Sequence, residues 1–185
     1  MSLPIPLNRD LFLSDQIDQE SMRKISEEII KINKDDEFIM RQYQVYDLEY
    51  DPKPIKIYID SFGGTVYQCL GLIGIMEASK TPVWTYATGA AMSCGFLILI
   101  SGHKRFGYKY STPLYHQVSN WIYGKMEDLK DHLQETKRLQ KLIDEITISK
   151  TKLSKKKLKE INSIKKDWFI TPKEALDYGI IDEII

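Results

Sequence analysis

Residues 9–14 (RDLFLS) alternate polar and apolar side chains over the length of a short strand. Residues 18–32 then set Met22, Ile25, Ile29 and Ile32 at the three- and four-residue spacing of one helix face. A strand followed by an amphipathic helix is predicted. Charges, three tyrosines and a proline break the pattern over 34–53, which reads as a long loop or an excursion from the core. Order returns with a strand at 55–59 (IKIYI), a tight turn at 60–64 (DSFGG) and an apolar helix over 65–79 that stops ahead of Thr81-Pro82, as helices tend to before proline. Residues 83–88 form the next strand, 89–94 a second small-residue turn and 95–101 a second apolar helix. Strand, glycine turn, helix, repeated, predicts crossover units on a mainly parallel sheet. In such an α/β fold both turns open on one sheet edge, at the carboxyl ends of the strands, where ligands bind.

Two more short strands are expected at 106–110 and 113–116. Residues 125–148 contain neither Gly nor Pro and set Met126, Leu129, Leu133, Leu142 and Ile146 near one face, predicting a helix of about six or seven turns. A domain of this size cannot bury such a helix along its whole length, so its far end is expected to meet another subunit. A shorter helix follows over 154–166 with Leu158, Ile161 and Ile164 inward. Thr171 is then an N-cap, Pro172 the first helical residue and Glu174 the acid three after the cap, with Gly179 ending that helix.

With 185 residues, 43% of them hydrophobic, the chain suits one compact domain over 1–185. Basic and acidic residues balance at 26 each, so no chain-wide charge draws it to nucleic acid or to an anionic membrane. The longest apolar run, 96–100, is far shorter than the roughly 20 residues that span a bilayer. The lysine-rich stretch 150–166 is interleaved with apolar residues at helical spacing and reads as a solvated helix face rather than an RNA patch. Cys69 and Cys94 are too few for a disulfide framework and lack zinc-ligand spacing. The chain start has no signal-peptide pattern, so a soluble protein of a reducing, cytoplasmic compartment is expected. No metal or organic cofactor is called for. No phosphate-binding loop occurs, so any ATP dependence would belong to a partner.

Ser93 sits between small residues just where an apolar helix begins. A serine there is ordinarily an N-cap. The position also offers free N–H groups and the positive end of a helix dipole to an oxyanion forming on a carbonyl attacked by Ser93. Gly63-Gly64 is ordinarily a plain strand-to-helix turn, yet it lets backbone N–H groups approach a ligand. If crossover topology sets the turns side by side, Gly64 N–H and Cys94 N–H point at one oxygen. Of the three histidines, His132 lies in a charged helix and His103 in a polar loop, whereas His116 ends an apolar strand and faces a turn. Spacing alone does not choose a carboxylate to orient it.

The segments Ile59-Asp-Ser-Phe-Gly-Gly-Thr-Val66, Gly89-Ala-Ala-Met-Ser-Cys-Gly95, Tyr115-His-Gln117 and Asp167-Trp-Phe-Ile-Thr-Pro-Lys-Glu-Ala175 through Tyr178-Gly-Ile-Ile-Asp182 resemble the successive signatures of the Clp protease proteolytic subunit family. The resemblance runs from about Arg9 to Ile185. It implies a crotonase-like fold of repeated β-α units and a serine endopeptidase with Ser93 as nucleophile, His116 as general base and acid, and Asp167 as the orienting carboxylate. Gly64 and Cys94 would donate the oxyanion hydrogen bonds. Residues 125–148 match the family's long handle helix, by which two seven-membered rings stack into a closed chamber that takes in polypeptides and meets a ring ATPase. Several positions depart from the pattern. Phe62 and Val118 stand where proline is usual, Lys56 occupies a position often aromatic in the ATPase groove, and only eight residues precede Arg9, where the family has an axial loop. Lys165 and Lys166 replace an acid and an arginine that pair between rings, so stacking is expected to strengthen with salt. Together these point to a divergent or phage-type member. A catalytically silent ring subunit remains a rival reading, as does a crotonase-type acyl-CoA enzyme, although the latter needs no such triad.

Overall fold

A computed structural model of the chain describes residues 8–119, 123–164 and 167–185. The chain start, Lys165 and Lys166 lie outside the described residues, and with them the expectation about ring stacking and salt. Strand β1 (Asp10–Leu13) leads into helix α1 (Gln19–Val45). Two repeated units follow, β2 (Ile55–Ser61) with α2 (Val66–Ala78) and β3 (Val83–Met92) with α3 (Cys94–Ile100). After β4 (Lys104–Gly107) and β5 (Thr112–Tyr115) comes the long helix α4 (Met126–Lys150), then α5 (Lys155–Ser163), β6 (Trp168–Phe169), α6 (Pro172–Asp177) and β7 (Glu183–Ile184).

The sheet runs β1-β2-β3-β4-β7 with every neighbouring pair parallel, as the repeated strand-turn-helix pattern predicts. β3 forks. Its residues 84–87 pair with β4 and its residues 90–92 with β5, against which β6 lies antiparallel. Successive side chains of a strand point to opposite faces. One face therefore presents Ile55, Ile57, Ile59, Val83 and Ala87 to the core, and Thr85 on the same side donates to the Leu99 carbonyl of α3 at 2.7 Å. On the other face Phe12, Tyr58, Tyr86 and Phe106, registered neighbours on β1 to β4, stack with ring centroids 5.2, 4.8 and 4.5 Å apart. Met22, Ile25, Ile29 and Ile32 are all buried, and Thr171 and Glu174 form a capping box with Pro172 as the first helical residue.

Four expectations need correction. The stretch 34–53 is not simply a loop, because α1 continues to Val45. Two polar residues of that helix, Asn33 and Asp36, face inward and are partnered rather than solvated. The Asn33 amide bonds the Ser79 hydroxyl and the Lys80 and Thr81 N–H groups. Asp36, 5% exposed, accepts from both terminal nitrogens of Arg9 (2.8 and 2.5 Å), from Tyr50 Oη (2.6 Å) and from Thr81 Oγ1 (2.6 Å). Second, residues 89–92, read as the start of a turn, are strand. β3 slips in register between Ile59↔Ala87 and Ser61↔Ala91, and Asp60 Oδ1 fills the gap by accepting from Ala90 N–H at 2.8 Å. Third, Ile164 is exposed although Leu158 and Ile161 are buried, because α5 ends at Ser163. Fourth, of the apolar face read along α4, Met126, Leu129 and Leu133 are exposed; the buried positions are Leu139, Ile143 and Thr147. The uncovered part is the first half of the helix. The two-residue strands β6 and β7 have no periodicity long enough to read.

Burial alone would raise the Asp36 carboxyl, but hydrogen bonds from Arg9, Thr81 and Tyr50 outweigh it and hold the group below its ordinary value of 3.8. Asp36→Ala strands the largely buried Arg9 guanidinium, so a loss of about 3 kcal/mol is expected, lowering Tm by roughly 6–12 °C. A depressed carboxyl stabilises fully above its unfolded pKa and loses that contribution as pH falls through the folded one. Thermal melts of wild type and variant should therefore converge on acidification below about pH 4.

Candidate active site

β2 and β3 end at the same level of the sheet, and the segments that follow them meet. The buried Ser61 hydroxyl donates to the Asp15 carbonyl at 2.7 Å and accepts from Gly63 N–H at 3.2 Å. The next residues cross Ile17, whose N–H donates to the Gly63 carbonyl (2.8 Å) and whose carbonyl accepts from Thr65 N–H (2.7 Å). In a parallel bridge of this kind the groups of the middle residue point away from the partner. The Gly64 carbonyl accordingly accepts from the Cys94 thiol at 3.3 Å, and among the described residues its N–H has no acceptor. Gly63 has φ 106° and Gly64 φ 154°. A Cβ on Gly63 would lie 2.7 Å from Ser93 Cβ, and one on Gly64 would run into the Ile17 carbonyl, so only glycine fits at either position.

Ser93 has φ 55° and ψ −118°, a conformation that costs a non-glycine residue about 1–3 kcal/mol. Its N–H donates to the Leu114 carbonyl at 3.0 Å, and its own carbonyl accepts from Phe96 and Leu97 N–H at 3.0 and 3.3 Å. It occupies the N-cap position of α3, yet its side chain caps nothing. The ordinary reading of a serine before a helix thus does not describe this one. Among the described residues Cys94 N–H, like Gly64 N–H, has no acceptor. Behind them the fully buried Cys69 thiol donates to the Cys94 carbonyl at 3.4 Å, and contact with Cys94 together with burial pushes it well above the ordinary thiol range, so it stays a donor.

His116 follows β5 directly. The pairs Leu114↔Phe169 and Tyr115↔Trp168 carry the antiparallel register to the point where one further step sets His116 opposite Asp167. His116 Nδ1 and Asp167 Oδ1 are 3.9 Å apart, within ion-pair reach and beyond a hydrogen bond. One cavity is lined by Gly64, Ser93, Cys94 and His116, with apolar walls from Val66, Phe96, Leu97 and Ile143. Asp167, its side chain 65% exposed, approaches His116 from outside that lining. His103 and His132 are exposed elsewhere, and His103 Nδ1 accepts from Val83 N–H at 3.0 Å. Among the described residues no group of three His, Cys, Asp or Glu side chains is placed to hold a metal ion.

Sequence reasoning did not single out the apolar walls or the polar residues of α4 behind His116. Gln140 donates to Asp144 Oδ1 at 2.7 Å, and Asp144 Oδ1 also accepts from Tyr115 Oη at 2.5 Å. The signal was available in part, as Gln140 and Asp144 are one helical turn apart beside the buried Leu139 and Ile143.

Residues 5–185 match the family model described as Clp protease. The ATP-dependent Clp protease proteolytic subunit of Deinococcus radiodurans is 34% identical over 149 residues, 80% of this chain and 72% of that protein.

Gly63→Ala has to accept a side chain at φ 106° and displace Ser93 as well. A loss of about 1–3 kcal/mol is expected. Gly71→Ala, inside α2 with nothing within 4 Å of the added carbon, should gain up to about 1 kcal/mol instead. Thermal melts of the two variants should move in opposite directions.

Proposed function

Because the chain belongs to the Clp protease family, we propose that it is a serine peptidase in which Ser93, His116 and Asp167 act as a triad on polypeptides. The observation that carries this reading is Ser93 itself. A strained serine spends no hydroxyl on capping and shares one cavity with His116 and with the Gly64 and Cys94 amides, which have no acceptor among the described residues. Ser93 Oγ bonds to the scissile carbonyl carbon while its proton passes to His116, and the carbonyl oxygen takes the negative charge. Gly64 N–H and Cys94 N–H stabilise that charge. His116 then gives its proton to the leaving amine as the C–N bond breaks, and water repeats the sequence on the acyl-serine. Asp167 holds His116 in the right tautomer. Its 3.9 Å separation has to shorten for this, as the looser hydrogen bonds of an unliganded site commonly do. The walls of Val66, Phe96, Leu97 and Ile143 favour an apolar side chain beside the scissile bond.

The reading includes a homo-oligomer of heptameric rings stacked in pairs through α4. Its support on this chain is the exposure of Met126, Leu129 and Leu133, while Leu139 and Ile143 anchor the same helix in the core. The stacked row of Phe12, Tyr58, Tyr86 and Phe106, beside Lys56 and Asp10, suits an apolar segment of a ring ATPase. The rival silent subunit draws on the open His116–Asp167 distance. Fluorophosphonate labelling separates the two, since a working triad is modified at Ser93.

Ser93→Ala should lose labelling and reduce hydrolysis of a fluorogenic peptide by at least about a thousandfold, with Tm within a few degrees of wild type. Turnover retained in Ser93→Ala, in protein free of host peptidases, would sink the assignment. Leu129→Glu combined with Leu133→Glu should convert paired rings to single rings in sedimentation velocity. An unchanged sedimentation coefficient would remove α4 from the contact.

A further inference from the structure

Three segments of the chain converge on one carboxylate behind the triad. Asp144 on α4 accepts from Tyr115 Oη (2.5 Å), from Gln140 Nε2 (2.7 Å) and from Asn162 Nδ2 (3.3 and 3.4 Å to its two oxygens). Tyr115 immediately precedes His116. Gln117 immediately follows it and donates to the Asn162 carbonyl at 3.0 Å, and Val118 N–H donates to Gln140 Oε1 at 2.8 Å. Both neighbours of His116 are thus tied to the same cluster, while His116 alone in this stretch is in ion-pair reach of Asp167. Asn162 lies on α5, five residues before Asp167. The cluster therefore joins the arm that carries the histidine to the arm that carries the acid, and it does so through α4.

We propose that Asp144, with Tyr115 and Asn162 as its donors, is a positioning residue that sets the approach of Asp167 to His116. The inference rests on the triad reading above. Two properties suit the role. Tyr115 is fully buried against Phe96, ring centroids 5.7 Å apart, so its hydroxyl has one fixed direction. Burial and the Asp144 carboxylate also hold that hydroxyl above the ordinary tyrosine range, which favours its protonated, donating form. A carboxylate oxygen accepts several hydrogen bonds at once, which lets a single group fix the relative positions of independent segments. Ile143, the residue before Asp144, lines the cavity itself, so a shift at this point of α4 is also felt at the wall.

The test uses the whole 185-residue chain and expresses every rate per Ser93 labelled to completion by a fluorophosphonate, so that loss of folded protein does not register as loss of catalysis. Tyr115→Phe keeps the buried ring and removes only the hydroxyl. It should lower kcat roughly tenfold or more with KM within about twofold, because displacing a catalytic group changes the transition state and not ground-state binding. Tm should stay within about 4 °C of wild type, as for one lost hydrogen bond. Asn162→Ala, at a half-buried site on another element, should give the same split. The double variant should be no slower than the slower single one, since both act on the same carboxylate. Values of kcat within twofold of wild type in both singles would overturn the inference while leaving the triad standing, and losses that multiply in the double variant would overturn Asp144 as the shared link. A wild type that is not labelled at Ser93, with turnover retained in Ser93→Ala, would overturn the triad and this inference together.

Discussion

The site depends on one close approach, that of the Gly63-Gly64 backbone to Ser93. Two strands in parallel register end at the same height, and the chain leaving each must turn without room for a side chain between them. Glycine at 63 relieves the contact on one side. Strain at Ser93, worth about 1–3 kcal/mol, meets it on the other and is sustained by the hydrogen bonds from Ser93 N–H to Leu114 and from Phe96 and Leu97 to Ser93. The sheet, the turn at Ser61 and the bridge to Ile17 all hold these few atoms in place. The same arrangement leaves the Gly64 and Cys94 amides without an acceptor among the described residues.

Much of this was legible in the chain, for a physical reason. Repeated strand-turn-helix units leave their period in the sequence, so β2, α2, β3 and α3 could be read within a few residues, and with them the shared edge that carries Gly64 and Ser93. What failed to show were elements whose polar residues are satisfied internally. Asn33 and Asp36 look like breakers until Ser79, Thr81, Tyr50 and Arg9 are known to surround them, and those partners come from up to 48 positions away. Residues 89–91 look like a turn because they are small, whereas the bare Gly89 backbone is what lets β3 pass close to Asp60 on its way to β5. His116 was favoured by its place at a strand end, but the geometry that brings Asp167 near it comes from a two-residue strand, below the length at which alternation carries information.

Polar groups divide the molecule into two kinds of region. Around Asp36 the donors converge on a buried carboxylate near the amino ends of the strands, where they fasten α1, Arg9, Tyr50 and Thr81 to one another. Around Asp144 they converge behind the cavity, on the helix that leaves the core. Each cluster ties separate segments of the chain together through hydrogen bonds that converge on one carboxylate.

The short pairing of β6 with β5 makes the chain unequally tolerant of insertions and deletions. A strand's side chains alternate, so one residue gained or lost between Asp167 and Phe169 would leave either the acid or the indole on the wrong face. Nothing in two residues of pairing could absorb the change by slipping. Residues 46–54 lie under no such rule: between the end of α1 and the start of β2 they pair with no strand, and Tyr50 and the Lys53 carbonyl are their hydrogen-bonded anchors. Drift in length should therefore be tolerated between α1 and β2 and excluded within β6.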